Sequence, residues 1–181
     1  MFIIKNIYYL YTENSKSIDL KLLKKKFCII YRPNHPEKID ILIKFRKRCH
    51  KKNIKLYIAN NYKLAKQICA DGLYLSAYNK KIYHFKNIIG SAHNYNEINQ
   101  KIKQKCKTII LSRLFKTSYK NKKSFYGITK FNLLSMNYSV NLVPLGGIKI
   151  SNLLKLNLVK SDGLALFSEI KKKPVIANRL F

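Results

Sequence analysis

The stretch "KLYIANNYKLAKQICADGLYLS", Lys55–Ser76, holds one full period of the pattern that decides the fold. Two short apolar runs, "KLYIA" (Lys55–Ala59) and "GLYLS" (Gly72–Ser76), have the length and composition of buried strands. Between them "NYKLAKQICA" has the spacing of an amphipathic helix. The alternation continues in both directions. Upstream lie "IYYLY" (Ile7–Tyr11) and "FCIIY" (Phe27–Tyr31); downstream lie "NIIGSA" (Asn87–Ala92), "TIILS" (Thr108–Ser112), "NLVPL" (Asn141–Leu145) and "GLALF" (Gly163–Phe167). Further helical stretches are "PEKIDILIKFRKRCHKKN", with Ile39, Ile43 and Cys49 or Phe45 on one side, then "NEINQKIKQKC", "ITKFNLLSMN" and "SNLLKLN". The segment "TENSKSIDLKLLKKK" is expected to hold a short helix capped by Ser15 or Ser17.

Strands alternating with helices imply parallel βα units. The direct reading is an α/β fold of the compact (β/α)8, or TIM, barrel type, with a doubly wound open sheet as the alternative. At 181 residues the chain suits one domain, 1–181, and is short beside the ~250 residues typical of such barrels. Barrel chemistry sits at the C-terminal ends of the strands, which directs attention there.

Composition narrows the function classes. A hydrophobic content of 47% argues for a folded core rather than disorder. Lysines interrupt every apolar run before it reaches the ~20 residues of a membrane span, so no membrane partner is expected. The start "MFIIKNIYYLYTENSKS" lacks a basic n-region and a small-residue cleavage site, and reads as a strand; the expected compartment is the cytoplasm. Cys28, Cys49, Cys69 and Cys106 form no metal-ligand spacing and read as ordinary reduced residues. The 37 Lys+Arg against 8 Asp+Glu give a net charge of +29. These charges are spread through the chain without a nucleic-acid motif, so they read mainly as a solvated surface. Nucleic-acid binding is the weaker alternative, and an anionic small substrate fits the charge equally well.

All six glycines fall at a strand edge or in a βα connection. Gly146 and Gly147 end the seventh run just ahead of "SNLLKLN". Glycines there let backbone N–H groups approach an anion, and barrels often hold phosphate with the loops after strands seven and eight. Ser168, ending the eighth strand, could join the same nest. A tight turn that needs glycine only for its dihedrals is the competing reading.

Several of these segments together resemble the thiamine-phosphate synthase/TenI family of small barrels. "YYLYTE" resembles its opening strand, "ADGLYLS" its "ADGvHlG", "IIGSAH" its "iGxSxH" and "LFKTSYK" its "vFpTxtK". "LGGIKISN" and "GLALFSEI" resemble its phosphate-binding "iGGI…N" and "gvAvvSaI". The resemblance spans nearly the whole chain. It implies thiamine biosynthesis: transfer of a hydroxymethylpyrimidine from its diphosphate to a thiazole phosphate, with pyrophosphate released. On the matching positions, Arg32 and Lys120 would neutralise the leaving pyrophosphate. Gly146, Gly147 and Ser168 would hold the thiazole phosphate, with Thr117 and Ser91 or Ala92 near the substrates.

The resemblance also implies Mg²⁺, but Asn60 and Asn79 occupy the positions of the family's two Mg²⁺ aspartates. Among the acidic residues only Glu13 is expected at the catalytic end of an early strand, while Asp71 and Asp162 belong to the opposite rim. Arg113 and Lys116 replace the family's two prolines, raising the local charge. Arg113 also stands where the TenI branch carries a proton-transferring histidine, a role an arginine does not serve near neutral pH. His93 and His84 are read as structural, and His35 and His50 as loop and helix-surface residues. Two other functions stay open: a non-catalytic phosphate-ligand binder on the same scaffold, and a basic nucleic-acid-associated protein.

Overall fold

The computed structural model describes residues 5–23, 25–117 and 124–166. Eight parallel strands, each bonded to the next in chain order, close into a barrel. They are β1 (Ile7–Thr12), β2 (Phe27–Tyr31), β3 (Lys55–Ala59), β4 (Gly72–Leu75), β5 (Ile88–Ala92), β6 (Thr108–Ser112), β7 (Asn141–Leu145) and β8 (Gly163–Leu166). β1 pairs with β2 on one side, Tyr8 opposite Phe27, and with β8 on the other, Ile7 opposite Gly163. That closure leaves no sheet edge and rules out the open doubly wound sheet.

Helices α1 (Ile39–Lys51), α2 (Tyr62–Gln67), α3 (Tyr95–Lys103) and α4 (Gly127–Asn137) follow β2, β3, β5 and β6. Short 3-10 turns at Leu20–Leu22, Ile150–Asn152 and Leu154–Leu158 serve β1 and β7. The strands read as unbroken apolar runs because both of their faces are buried. In β2, Phe27, Ile29 and Tyr31 face the helices, while Cys28 and Ile30 face the barrel interior.

The interior differs from the usual packing of branched aliphatics. Tyr9, Tyr11, Tyr57 and Tyr74 fill much of it, beside Cys28, Ile30, Ile89, Ile110, Val143 and Ala165. Buried phenols need partners. The Tyr11 hydroxyl bonds that of Tyr74 at 3.1 Å, their rings edge-to-face with centroids 5.6 Å apart. Burial, with the neighbouring Tyr74, pushes the Tyr11 phenol well above its ordinary range.

Three local expectations are corrected. The short helix after β1 is a 3-10 turn capped by Asp19, whose carboxylate accepts from Lys21 N at 2.8 Å. Ser15 and Ser17 do not cap it because Glu37 engages the first and Thr12 and Asn14 the second. The "SNLLKLN" segment forms 3-10 turns, not an α-helix. At its start the Asn152 side chain accepts from Lys149 N and donates to Gly147 O, each at 2.8 Å, which competes with helical bonding. In α1 the buried stripe is Leu42, Phe45 and Cys49, whereas Ile39 is exposed and Ile43 only partly buried.

Candidate functional site at the C-terminal rim

The parallel strands bring most of the sequence-predicted residues to one end of the barrel. Arg32 follows β2, Asn60 follows β3, Asn79 lies in the loop after β4, and Ser91 is the penultimate residue of β5. Thr117 stands in the loop after β6, and Gly146 and Gly147 follow β7 directly. Lys120 and Ser168 lie outside the described residues.

The glycine pair is required by the backbone itself. Gly146 has φ +94° and Gly147 φ +72°, a region that side-chain-bearing residues seldom adopt. A Cβ on Gly147 would run into the Phe115 carbonyl, and one on Gly146 would come within 3.1 Å of Arg113 Cγ. The turn is laced to the loop after β6: Leu114 N donates to Leu145 O at 2.9 Å, and Phe115 N to Gly146 O at 3.1 Å. With these bonds made, the N–H groups of Gly147 and Ile148 have no acceptor among the described residues. Two consecutive amides in a left-handed turn are the chemistry of an anion nest.

Arg113 sets the shape of the neighbouring loop. Its guanidinium donates to Thr117 Oγ1 at 2.6 Å and to Ser124 O at 2.9 Å, and its stem lies against Gly146. Arg113 thus holds the Thr117 hydroxyl at the base of the loop. Arg32 donates its backbone N–H to Thr12 O at 2.8 Å and leaves its side chain exposed. Ser91 is buried, and by alternation with Ile89 it shares the inward face of β5.

The positions that the resemblance assigns to Mg²⁺ hold a different arrangement. Asn60 sits in left-handed backbone at φ 55°, a conformation asparagine tolerates. Its Oδ1 accepts from Ser76 N at 3.0 Å and from Asn79 Nδ2 at 3.1 Å, while its Nδ2 donates to Ser76 Oγ at 3.1 Å. Asn79 Oδ1 accepts from Lys81 N at 3.0 Å. The two amides meet as metal ligands would, yet each spends its oxygen on a protein N–H. Mg²⁺ prefers carboxylate and phosphate oxygens. Among the described residues, no three of His, Cys, Asp and Glu gather at one point. These side chains do not fit a bound Mg²⁺.

Two further carboxylates lie on this side of the barrel, Glu37 in the loop after β2 and Glu97 at the start of α3, beyond the strand ends themselves. Glu37, before α1, accepts from Ser15 N and Ser15 Oγ, each at 2.8 Å. Partial burial would raise its pKa, but the bonds from Ser15 prevail and hold the carboxyl below its ordinary range. Glu97, in the first turn of α3, accepts from His93 N at 2.6 Å and from Asn94 Nδ2 at 3.1 Å. Both are consumed in shaping loops. His93 is pinned further by Tyr126, whose hydroxyl donates to its carbonyl at 2.7 Å. Its imidazole Nδ1 lies 3.2 Å from Ser112 Oγ at the end of β6. His93 and Ser112 lie far apart in sequence and meet because β5 and β6 pair side by side in the barrel. Asp71 and Asp162 occupy the opposite rim, as expected. Asp71 pairs with Arg46 at 2.8 Å and accepts from Leu56 N, and Asp162 O accepts from Asn6 N and Ile7 N.

Comparison with known proteins agrees with the barrel fold. A family model described as thiamine monophosphate synthase matches residues 10–170. The chain is 31% identical over 153 residues to a thiamine-phosphate synthase of Pelagibacter ubique, covering 78% of this chain and 74% of that one. It is 25% identical over 203 residues to a thiamine-phosphate synthase of Prochlorococcus marinus, covering 92% of this chain but only 58% of the longer relative. Among solved structures, a thiamine phosphate pyrophosphorylase of Pyrococcus furiosus superposes with a TM-score of 0.74 at 16% identity, over 97% of this chain and 92% of that one. A 3-hexulose-6-phosphate synthase superposes with a TM-score of 0.66 at 9% identity, over 98% of both chains. At such identities the structural likeness speaks for the barrel alone. Together, the match over residues 10–170 and the Pelagibacter relative establish that the chain belongs to the thiamine monophosphate synthase family.

Proposed function

We propose that this protein is a thiamine-phosphate synthase-like transferase. It would take a hydroxymethylpyrimidine diphosphate and a thiazole phosphate as substrates. The observation that carries this reading is the Gly146–Gly147 turn, whose left-handed backbone leaves the amides of Gly147 and Ile148 without a described acceptor at the mouth of the barrel. In the proposed reaction the C–O bond between the pyrimidine methylene and its diphosphate breaks, and pyrophosphate leaves with the electron pair. A C–N bond then forms from the thiazole nitrogen to that methylene. No side chain need act as nucleophile, so orientation and charge neutralisation are the protein's tasks.

In this scheme Gly146 and Gly147, with Ser168, hold the thiazole phosphate. Arg32 and Lys120 meet the leaving pyrophosphate, and Thr117 and Ser91 line the space between. The exposed Arg32 guanidinium and the Arg113-held Thr117 support those roles. The amide pair at Asn60 and Asn79 favours a second reading, in which the protein binds a phosphorylated ligand without turning it over.

The test is thiamine-phosphate formation by the purified protein from both substrates, alongside the effect of thiazole phosphate on melting temperature. Product formation supports the transferase. A melting shift without product favours the binder. Neither product nor shift rejects both.

A further inference from the structure

We propose that this protein holds the diphosphate of its substrate without a divalent metal ion, the buried Lys101 ammonium supplying a fixed positive charge behind the Asn60–Asn79 rim. The inference rests on the proposed transferase reading and adds to it that the diphosphate extends to the Asn60–Asn79 rim, where the resemblance places Mg²⁺.

Lys101 lies on α3 and is fully buried, an unusual place for a lysine. Its stem crosses β5 at Gly90, where a Cβ would come within 2.8 Å of Lys101 Cγ and Cδ. The absence of a side chain at Gly90 therefore opens the path by which the ammonium reaches the rim. There Nζ donates to Ser76 O at 2.7 Å, Asn79 O at 2.7 Å and Gln104 Oε1 at 2.9 Å. Three acceptors require three N–H donors, which only the protonated amine has. Burial lowers the Lys101 pKa, so the charge is held by this geometry against a desolvation cost.

Among the described residues, no carboxylate is bonded to Lys101. Glu97, on the same helix, is engaged by His93 N and Asn94 Nδ2. Its hydrogen-bond partners among the described residues are neutral oxygens, with Glu97 acting only through space, and two of these oxygens belong to the residues that form the rim, Ser76 and Asn79. Gln104 completes the clamp, donating from Nε2 to Asn79 O at 2.9 Å and Lys81 O at 2.6 Å. The connection from β4 to β5 contains no helix, and this clamp holds it instead. On the outer side the clamped loop presents Asn79 to Asn60, two neutral amides with their oxygens already bonded. Among the described residues a divalent ion finds no anionic ligand there, while a diphosphate finds amide donors with a monovalent cation beneath them. Lys101 is accordingly a positioning residue that acts through Ser76 and Asn79 and does not touch the ligand.

The experiment is calorimetric titration of the full chain with inorganic pyrophosphate, in EDTA and in excess magnesium chloride. Comparable affinity in both is the expected result. Lys101→Met should weaken binding in EDTA by about tenfold or more, as loss of one nearby charge in a low-dielectric setting implies, and magnesium should recover part of it. A lysine with a structural role alone would lower the melting temperature without changing the magnesium dependence. Should Lys101→Met fail to fold, the double variant Asn60→Asp/Asn79→Asp tests the same point at the rim. It should bind pyrophosphate only when magnesium is present. Wild-type binding that requires magnesium would overturn the inference and leave the diphosphate site standing. Equal binding by wild type and the double aspartate variant in EDTA would also overturn it. No binding of pyrophosphate under either condition would overturn both the inference and the diphosphate reading on which it depends.

Discussion

Gly147 shows how a single residue can answer to backbone and ligand at once. Its φ of +72° and the Phe115 carbonyl at the place of a Cβ are sufficient reason for glycine. The unpaired amides beside it are a separate matter of chemistry. The two demands separate experimentally. Gly147→Ala should cost about 1–3 kcal/mol from backbone strain alone, read as a lowered midpoint in urea unfolding. If the turn also holds phosphate, thiazole phosphate should stabilise the variant less than the wild type, each measured against its own unliganded midpoint. An equal ligand-induced shift in both proteins would leave the turn a purely structural feature. Glu37 offers a second residue-level prediction. Its folded pKa lies below the ordinary value of 4.5, so it contributes stability above that pH, and the contribution is lost as pH falls through the folded value. Glu37→Gln should therefore lower stability at neutral pH and flatten the acid limb below about 4.5, measured by thermal unfolding across pH. An unchanged acid limb would show that Ser15 and Glu37 do not interact appreciably in solution.

At the level of elements, the sequence was most legible where both faces of a strand are buried. "FCIIY" is β2 residue for residue, and "NIIGSA" begins one position before β5, at Asn87, whose carbonyl still accepts from Leu73 N of β4 at 2.9 Å and whose side chain donates to Asp71 O. The glycine turn after β7 was legible for the same reason, since its place in the strand count is fixed by the strands before it. Less legible were features that depend on contacts distant in sequence. Lys101 reads as one more surface lysine, and only the packing of α3 across Gly90 reveals its burial. Likewise, "SNLLKLN" has helical spacing but loses its α-helical start to Asn152, whose side chain satisfies the backbone groups a first helical turn would use. Asp71 illustrates the reverse case, a residue correctly placed by its position before a strand. It ties α1 to the start of β4 through Arg46 and caps the ladder at Leu56 N. Asp71→Asn keeps one acceptor and loses the charge. It should destabilise by about 1–3 kcal/mol in chemical unfolding, while leaving ligand binding at the far rim unchanged. A change in pyrophosphate affinity would mean that the two ends of the barrel are energetically linked.

For the molecule as a whole, the decisive quantity is the net charge of +29. Among the described residues a single ion pair, Arg46–Asp71, meets the ion-pair distance, so most of the basic side chains face one another across solvent without compensation. Self-repulsion of this kind destabilises the compact state, and salt relieves it. The Debye length contracts from about 30 Å at 0.01 M salt to about 10 Å at 0.1 M, from the span of the whole barrel to the separation of neighbouring helices. The melting temperature should therefore rise between these concentrations, and an uncharged osmolyte at matched osmolality should not reproduce the rise. The same field attracts polyanions without regard to sequence. A single-stranded RNA of mixed sequence should bind at low salt with an affinity that falls steeply as salt is added, the mark of counterion release. Thiazole phosphate, if it occupies the Gly146–Gly147 turn, should not displace that RNA, because the diffuse basic surface and the rim are different places on the molecule. Binding that survives at physiological salt, prefers one sequence and is displaced by thiazole phosphate would instead make the rim itself a nucleic-acid site. It would also reassign the lysines read here as a solvated surface.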